Sequence, residues 1–301
     1  MKEKYSQGIF FAILAAALYA LNAPFSKILL EYMPPTLMAG FLYLGAGLGM
    51  AVIALIRKIN HTENSENAMT KQELPSVIAM IVLDIAAPIF LMLGLMTTTA
   101  ANASLLNNFE IVATAVIALC FFREKISPRL WVGILFVTVS CAILSFEDIT
   151  SFSFSGGSLF ILLACLCWGI ENNCTRKLSS KDPLTIVLLK GIFSGGASAV
   201  IGFIIGERLT NLWSVCAVLI VGLFAYGLSI FFYVYAQRVL GAARTSAYYA
   251  VAPFIGTALS LLIFRELPPY TYFIALGCMI VGAYLCSDDG ALFSKKSRRR
   301  S

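Results

Sequence analysis

Runs of about 20 mostly apolar residues recur along the whole chain, and this repetition limits the fold more than any other feature. A helix of that length rises about 30 Å, the thickness of a bilayer's hydrocarbon core. Windows of about 19 residues give ten such runs, near 9–30, 36–56, 77–97, 102–122, 129–146, 157–177, 184–205, 214–237, 245–264 and 270–287. No polar stretch between them is long enough for a soluble domain, and the alternation of a transmembrane barrel is missing. The composition agrees: 59% of the 301 residues are hydrophobic and 13% are charged, about half the charged share of a soluble domain. The expected fold class is an all-α polytopic membrane protein with ten transmembrane helices. The first run lacks a small-residue cleavage site and is too long for a signal-peptide core, so a retained helix is expected there.

The charges set an orientation. With the N-terminus in the cytoplasm, the segments on that side are 1–8, 57–76, 123–129, 176–183, 238–244 and the tail, and they hold 18 of the 22 Lys and Arg residues. The opposite side holds Lys27, Arg208 and Arg265, while Lys190 lies inside a run. This bias follows the positive-inside rule and puts both termini in the cytoplasm of a multi-pass cell-membrane protein. The net charge of +6 therefore reflects topology, not nucleic-acid binding. Beside the last helix, the tail KKSRRRS suits anionic membrane lipid. The eight cysteines form no CxxC pair and nearly all lie in the apolar runs, where cysteine acts as a small apolar residue. The one histidine, His61, falls in a polar loop, so neither a metal site nor a cofactor is expected.

The chain repeats itself. Residue n aligned with n+149 sets GIFFAILAAALYALNAPFSK on GSLFILLACLCWGIENNCTR, matching Tyr19 with Trp168, Asn22 with Glu171 and Lys27 with Arg176. Beyond the 57–76 loop the offset becomes 142, where AANASLL meets AARTSAY and FFREK meets IFREL. Each half, 1–150 and 151–301, carries five runs. Five is odd, so the second half enters the membrane upside down, as in the inverted repeats of secondary transporters.

Ten spans, a five-plus-five inverted repeat and an Arg-Glu after spans four and nine (Arg123-Glu124 and Arg265-Glu266) resemble the drug/metabolite transporter superfamily, in particular its EamA-type members. Pro253 in span nine and the Gly-rich last span (Gly277, Gly282) also match. The family usually has a proline in span four where this chain has Ile111, directly after Glu110. The resemblance implies a carrier of small organic solutes, often an exporter, and leaves the solute open.

Charges inside a span cost at least a few kcal/mol each, so they face a cavity and have partners. Four stand out: Asp84, Glu110, Glu171 and Lys190. Glu171 and Lys190 lie about 10 Å deep on neighbouring antiparallel spans, where they meet either as a packing pair or as a coupling pair. Trp168, Glu171 and Thr175 share one face of span six, and Tyr19, Asn22 and Ser26 share the equivalent face of span one. On span four, Ala103, Asn107, Glu110 and Thr114 form one helical face, with Glu110 about 12 Å from the outer end. Asp84 precedes Pro88, a candidate kink, and the matching place in span eight is Tyr226. Tyr226 and Tyr249 are candidate cation–π surfaces.

The reading that follows is a secondary transporter for a small amino-acid-like, cationic or zwitterionic solute, with protons as a candidate coupling ion. Three acids against one intramembrane lysine make the cavity acidic. An integral-membrane enzyme is the alternative, against which stands the absence of clustered nucleophile, base or metal ligands; a transport-dead sensor or scaffold is a further one. Oligomeric state is not legible in the residues.

Overall fold

The computed structural model describes residues 2–60, 70–122, 127–148, 153–176, 178, 181–240, 245, 248–265 and 267–287. His61, Arg123-Glu124, Glu266 and the basic tail lie outside the described residues. Helices account for nearly everything described: α1 (Lys2–Ala20), α2 (Asn22–Leu29), α3 (Pro35–Ile59), α4 (Leu74–Thr97), α5 (Ala100–Leu106), α6 (Phe109–Phe122), α7 (Pro128–Ser145), α8 (Gly156–Arg176), α9 (Pro183–Leu189), α10 (Gly195–Ile204), α11 (Leu212–Gly222), α12 (Ser229–Leu240), α13 (Ala252–Phe264) and α14 (Tyr270–Ser287). A short antiparallel ribbon, β1 (Phe146–Asp148) with β2 (Ser153–Phe154), joins α7 to α8. Eight helices among the described residues are long and apolar enough to cross a membrane, counting α1–α2, α5–α6, α9–α10 and α11–α12 each as one. Two shorter apolar helices, Ala252–Phe264 and Tyr270–Cys286, follow them.

The helix starts are written locally. Ser127 accepts from the Leu130 amide and Thr99 from the Asn102 amide, both at 3.1 Å. Asp182 caps α9 ahead of Pro183, whose missing N–H is not needed in a first turn. One start is capped from far away. The Glu207 carboxylate accepts from the amides of Thr36 (3.2 Å) and Leu37 (2.8 Å), where the helix dipole favours an anion.

Several helices are interrupted at mid-depth. α1 yields to α2 at Leu21, and α5 yields to α6 at Asn107 and Asn108. π-helical turns, Lys190–Ser194 and Leu223–Leu228, separate α9 from α10 and α11 from α12. The expectation of one continuous face through span four is thus corrected: Asn107 sits in a turn, and only Glu110 and Thr114 share a helix. Asparagine is a poor helix former, and two in succession let the chain turn here. α4, by contrast, runs unbroken through Pro88.

The closest packing uses glycine. A Cβ on Gly191 would stand 2.3 Å from the Gly47 Cα, and one on Gly45 would stand 2.1 Å from the Leu219 carbonyl oxygen. α3 therefore touches the π-turn before α10, and α11, backbone to backbone, the close approach that small residues allow where lipid gives no hydrophobic drive. Around this centre α4 packs on α8, α1 on α12, α7 on α14, and α5 on α13.

Candidate functional site

Three groups of polar residues in the core hold the charged and aromatic candidates. In the first, Lys190 begins the π-turn after α9 and reaches two acids from different helices. Its Nζ stands 2.6 Å from Glu171 Oε1 on α8 and 3.2 Å from Asp84 Oδ2 on α4. Tyr43 on α3 donates to Asp84 Oδ1 at 2.9 Å, and Thr175 donates to Glu171 from one turn along α8. Ser194 closes the π-turn onto α4 by donating to the Ile81 carbonyl at 3.2 Å. Asp84, Glu171 and Lys190 are 1%, 3% and 6% exposed, so the cluster is fully enclosed by protein. Removing charges from water is costly, and this arrangement offsets the cost with one cation between two anions and hydroxyl donors on both acids.

The second group is neutral. Asn22 Nδ2 donates to the Tyr226 hydroxyl at 2.9 Å, and Ser26 donates to Asn22 Oδ1 at 3.0 Å. Tyr226 lies in the π-turn between α11 and α12, 4.9 Å ring to ring from Tyr43 and 6.1 Å from Tyr19. Tyr249 packs against Tyr19 at 5.9 Å and against Tyr233 at 4.9 Å. These rings face one another. The cation–π contacts among the described residues lie elsewhere, with Arg57 over Phe231 and Arg129 over Tyr284.

Glu110 makes the third. Its Oε1 accepts from Asn172 Nδ2 at 2.6 Å, and the same amide reaches Thr114 Oγ1 at 3.3 Å. Among the described residues no Lys or Arg pairs with Glu110, so an amide is what faces the carboxylate. Asn107, one turn earlier, lines a narrow cavity with Tyr19, Asn22 and Ser104. Trp168 is buried in the apolar core, where its side chain hydrogen-bonds Tyr43 at the edge of the first group.

The sequence thus anticipates the meeting of Glu171 with Lys190, and the structure adds Asp84 as the second anion. Tyr43 and Asn172 were missed. Tyr43 is one aromatic in a glycine-rich run. Asn172 follows Glu171 directly, and a helix turns about 100° per residue, so the two face different neighbours. Also unanticipated is a cleft of about 500 Å3 at the far end of the bundle, lined by Lys27, Thr98, Asn102, Leu267 and Tyr272 among others. There Lys27 donates to the carbonyls of Leu95 and Met96, which end α4.

Charges enclosed among membrane-length helices mark a functional site in an integral membrane protein. The chain belongs to the EamA-like transporter family, whose profile matches residues 6–146 and again 155–287. It is 24% identical over 294 residues to an uncharacterized transporter of Methanothermobacter thermautotrophicus, covering 92% of this chain and 85% of the relative. It is 21% identical to the uncharacterized transporter YyaM of Bacillus subtilis (89% and 88% covered) and 24% identical to the uncharacterized inner membrane transporter YedA of Escherichia coli K12 (90% and 87%). A protein of known crystal structure shares the fold at a TM-score of 0.66 and 16% identity, over 93% of this chain and 96% of its own. This is a multi-pass transporter of the cell membrane, surrounded by lipid and serving a small molecule. It is not an enzyme.

Proposed function

We propose that the chain is a secondary transporter, working as an exporter, that moves a small cationic or zwitterionic metabolite of amino-acid size by alternating access. The observation that carries this reading is the set of three acids and one lysine inside the helix bundle, with Lys190 and Glu110 at helix interruptions, since carriers keep polar groups at such breaks near the midplane. With Asp84 and Glu171 sharing Lys190, Glu110 is the acid left for a solute cation or a proton.

Ten spans arranged as two inverted five-span halves, 1–150 and 151–301, with both termini cytoplasmic, complete the proposal. Its support is a packing pattern that swaps between halves. Span three lies against span six as span eight lies against span one, span four also lies against span six as span nine lies against span one, and spans two with seven, four with nine, and five with ten make pairs. The 18-to-3 bias of basic residues supports the orientation. Export is the direction that the family resemblance implies.

The test starts with a thermal-stability screen of the purified protein against amino acids, amines and nucleosides, because a ligand for the folded state raises its melting point. Flux of the hit is then followed in liposomes for wild type and Glu110→Gln. The amide substitute keeps the shape and a bond to Asn172 but takes up no proton. Loss of the pH dependence of flux in a protein of wild-type stability is expected. Unchanged rate and pH dependence would sink the role of Glu110.

A further inference from the structure

The cavity beside Tyr19 collects oxygen atoms that the described residues leave weakly bonded or without a partner. Pro24 has no N–H, so the Ala20 carbonyl at the end of α1 lacks the amide that would bond it from four residues on. Ser104, 3% exposed, lines the cavity, and its Oγ has no hydrogen-bond partner. A serine inside a helix ordinarily bonds back to the carbonyl four residues earlier. Asn107 lines the cavity as well, and the contact its Oδ1 makes is the weak thiol of Cys165 at 3.9 Å. Gly256 forms the opposite wall. A Cβ there would stand 2.9 Å from Ser104 Oγ and 3.2 Å from the Ala20 carbonyl oxygen, so oxygens from two helices converge on the space that glycine leaves open.

The cavity measures about 10 Å3, close to the room one water molecule takes. Among the described residues no Lys, Arg or His lines it. Asn22 is present, but its Nδ2 is committed to Tyr226. The 19-residue α1 ends here and brings the partial negative charge of a helix C-terminus.

We propose that this is a binding site for a compact monovalent cation, either a sodium ion or the ammonium head of the transported solute. A hydroxyl, a carboxamide oxygen and a carbonyl freed by helix interruption are the ligands by which membrane carriers hold such ions without a formal charge in contact. An unpaired buried acceptor costs free energy that a cation recovers. Gly256 is the position that keeps the space, and Ser104 is the side chain that gives it a ligand. Binding itself does not depend on the transporter reading; its use in a transport cycle does.

The test is direct binding to purified full-length protein in detergent and choline buffer, using radioactive sodium, with methylammonium and potassium as competitors. Saturable sodium binding is expected. It weakens by about tenfold or more in Ser104→Ala and in Gly256→Ala, and survives in Ser104→Thr, which keeps the hydroxyl. Sodium binding that methylammonium does not displace assigns the inorganic ion. Displacement by methylammonium, or methylammonium binding by itself, assigns the solute's ammonium head. Wild-type protein that binds neither cation overturns the proposal and leaves the space to water, as does Ser104→Ala with wild-type affinity. Melting curves in cation-free buffer report folding, and if Gly256→Ala does not fold, the Ser104→Ala and Ser104→Thr pair decides. Because binding is read without flux, a protein that binds the cation and transports nothing sinks the transporter reading alone.

Discussion

Two junctions in this molecule occupy equivalent places in the repeat and are built from opposite chemistry. Where α4 meets α8, the side chains are Asp84 and Glu171, bridged by Lys190. Offsets of 142 and 149 carry these three positions to Tyr226, Asn22 and Phe41: 84 + 142, 171 − 149 and 190 − 149. Where α12 and its π-turn meet α1 and α2, a phenol and a carboxamide share one neutral hydrogen bond. Even the flanking hydroxyl repeats, with Thr175 on Glu171 and Ser26 on Asn22. The third contact differs as well: Glu110 with Asn172 at one junction corresponds to Ala252 and Ala23 at the other, 110 + 142 and 172 − 149. Positions matched by the sequence offsets therefore carry charge at one junction and none at the other. An ion cluster enclosed by protein holds its geometry strongly but cannot lose a member cheaply, whereas a neutral pair can part at modest cost. If one junction opens during a transport cycle, the neutral one is the easier to open.

This contrast can be broken by experiment. Lys190→Ala leaves two enclosed carboxylates without a cation and is expected to cost about 3–5 kcal/mol, read as lost thermal stability of the purified protein. Adding Asp84→Asn and Glu171→Gln should return much of it. A cost for Lys190→Ala no greater than that of the neutral pair would remove the distinction. Gly191→Ala forces a methyl against the Gly47 backbone beside the charged junction, and about 1–3 kcal/mol is expected in the same assay. At the neutral junction Tyr226→Phe removes the acceptor for Asn22, for about 0.5–1.5 kcal/mol. A larger loss would mean that the phenol supports more than one bond. The smallest change is Gly196→Ala. A Cβ there meets nothing within 4 Å, so stability should hold or rise by up to about 1 kcal/mol through reduced backbone freedom.

Much of the fold was legible because apolar length is a one-dimensional property. The runs read from the sequence fall on the described helices, although the ninth, expected over 245–264, has its described helix from Ala252. The pairing of Glu171 with Lys190 was legible from depth alone, since two charges at equal depth on adjacent spans come within reach. Rotation about the helix axis is harder to read. Asp84 joins the cluster because α4 packs on α8, and nothing in the local sequence states that pairing. The break at Asn107 and Asn108 carries no proline to announce it, and it turns Asn107 to the cavity while Glu110 faces Asn172.

By itself the sequence determined that this chain lives in a membrane, which polar residues are buried there at a cost, and that the two halves share a pattern. Those follow from composition, spacing and the price of charge in hydrocarbon. Only the tertiary structure decided the partners: Lys190 between two acids, an amide in front of Glu110, and a serine oxygen facing the space left by Gly256. Each depends on which helix faces meet, and that is set by backbone contacts at glycines such as Gly45, Gly47 and Gly191, where the absence of a side chain, not its chemistry, fixes the approach.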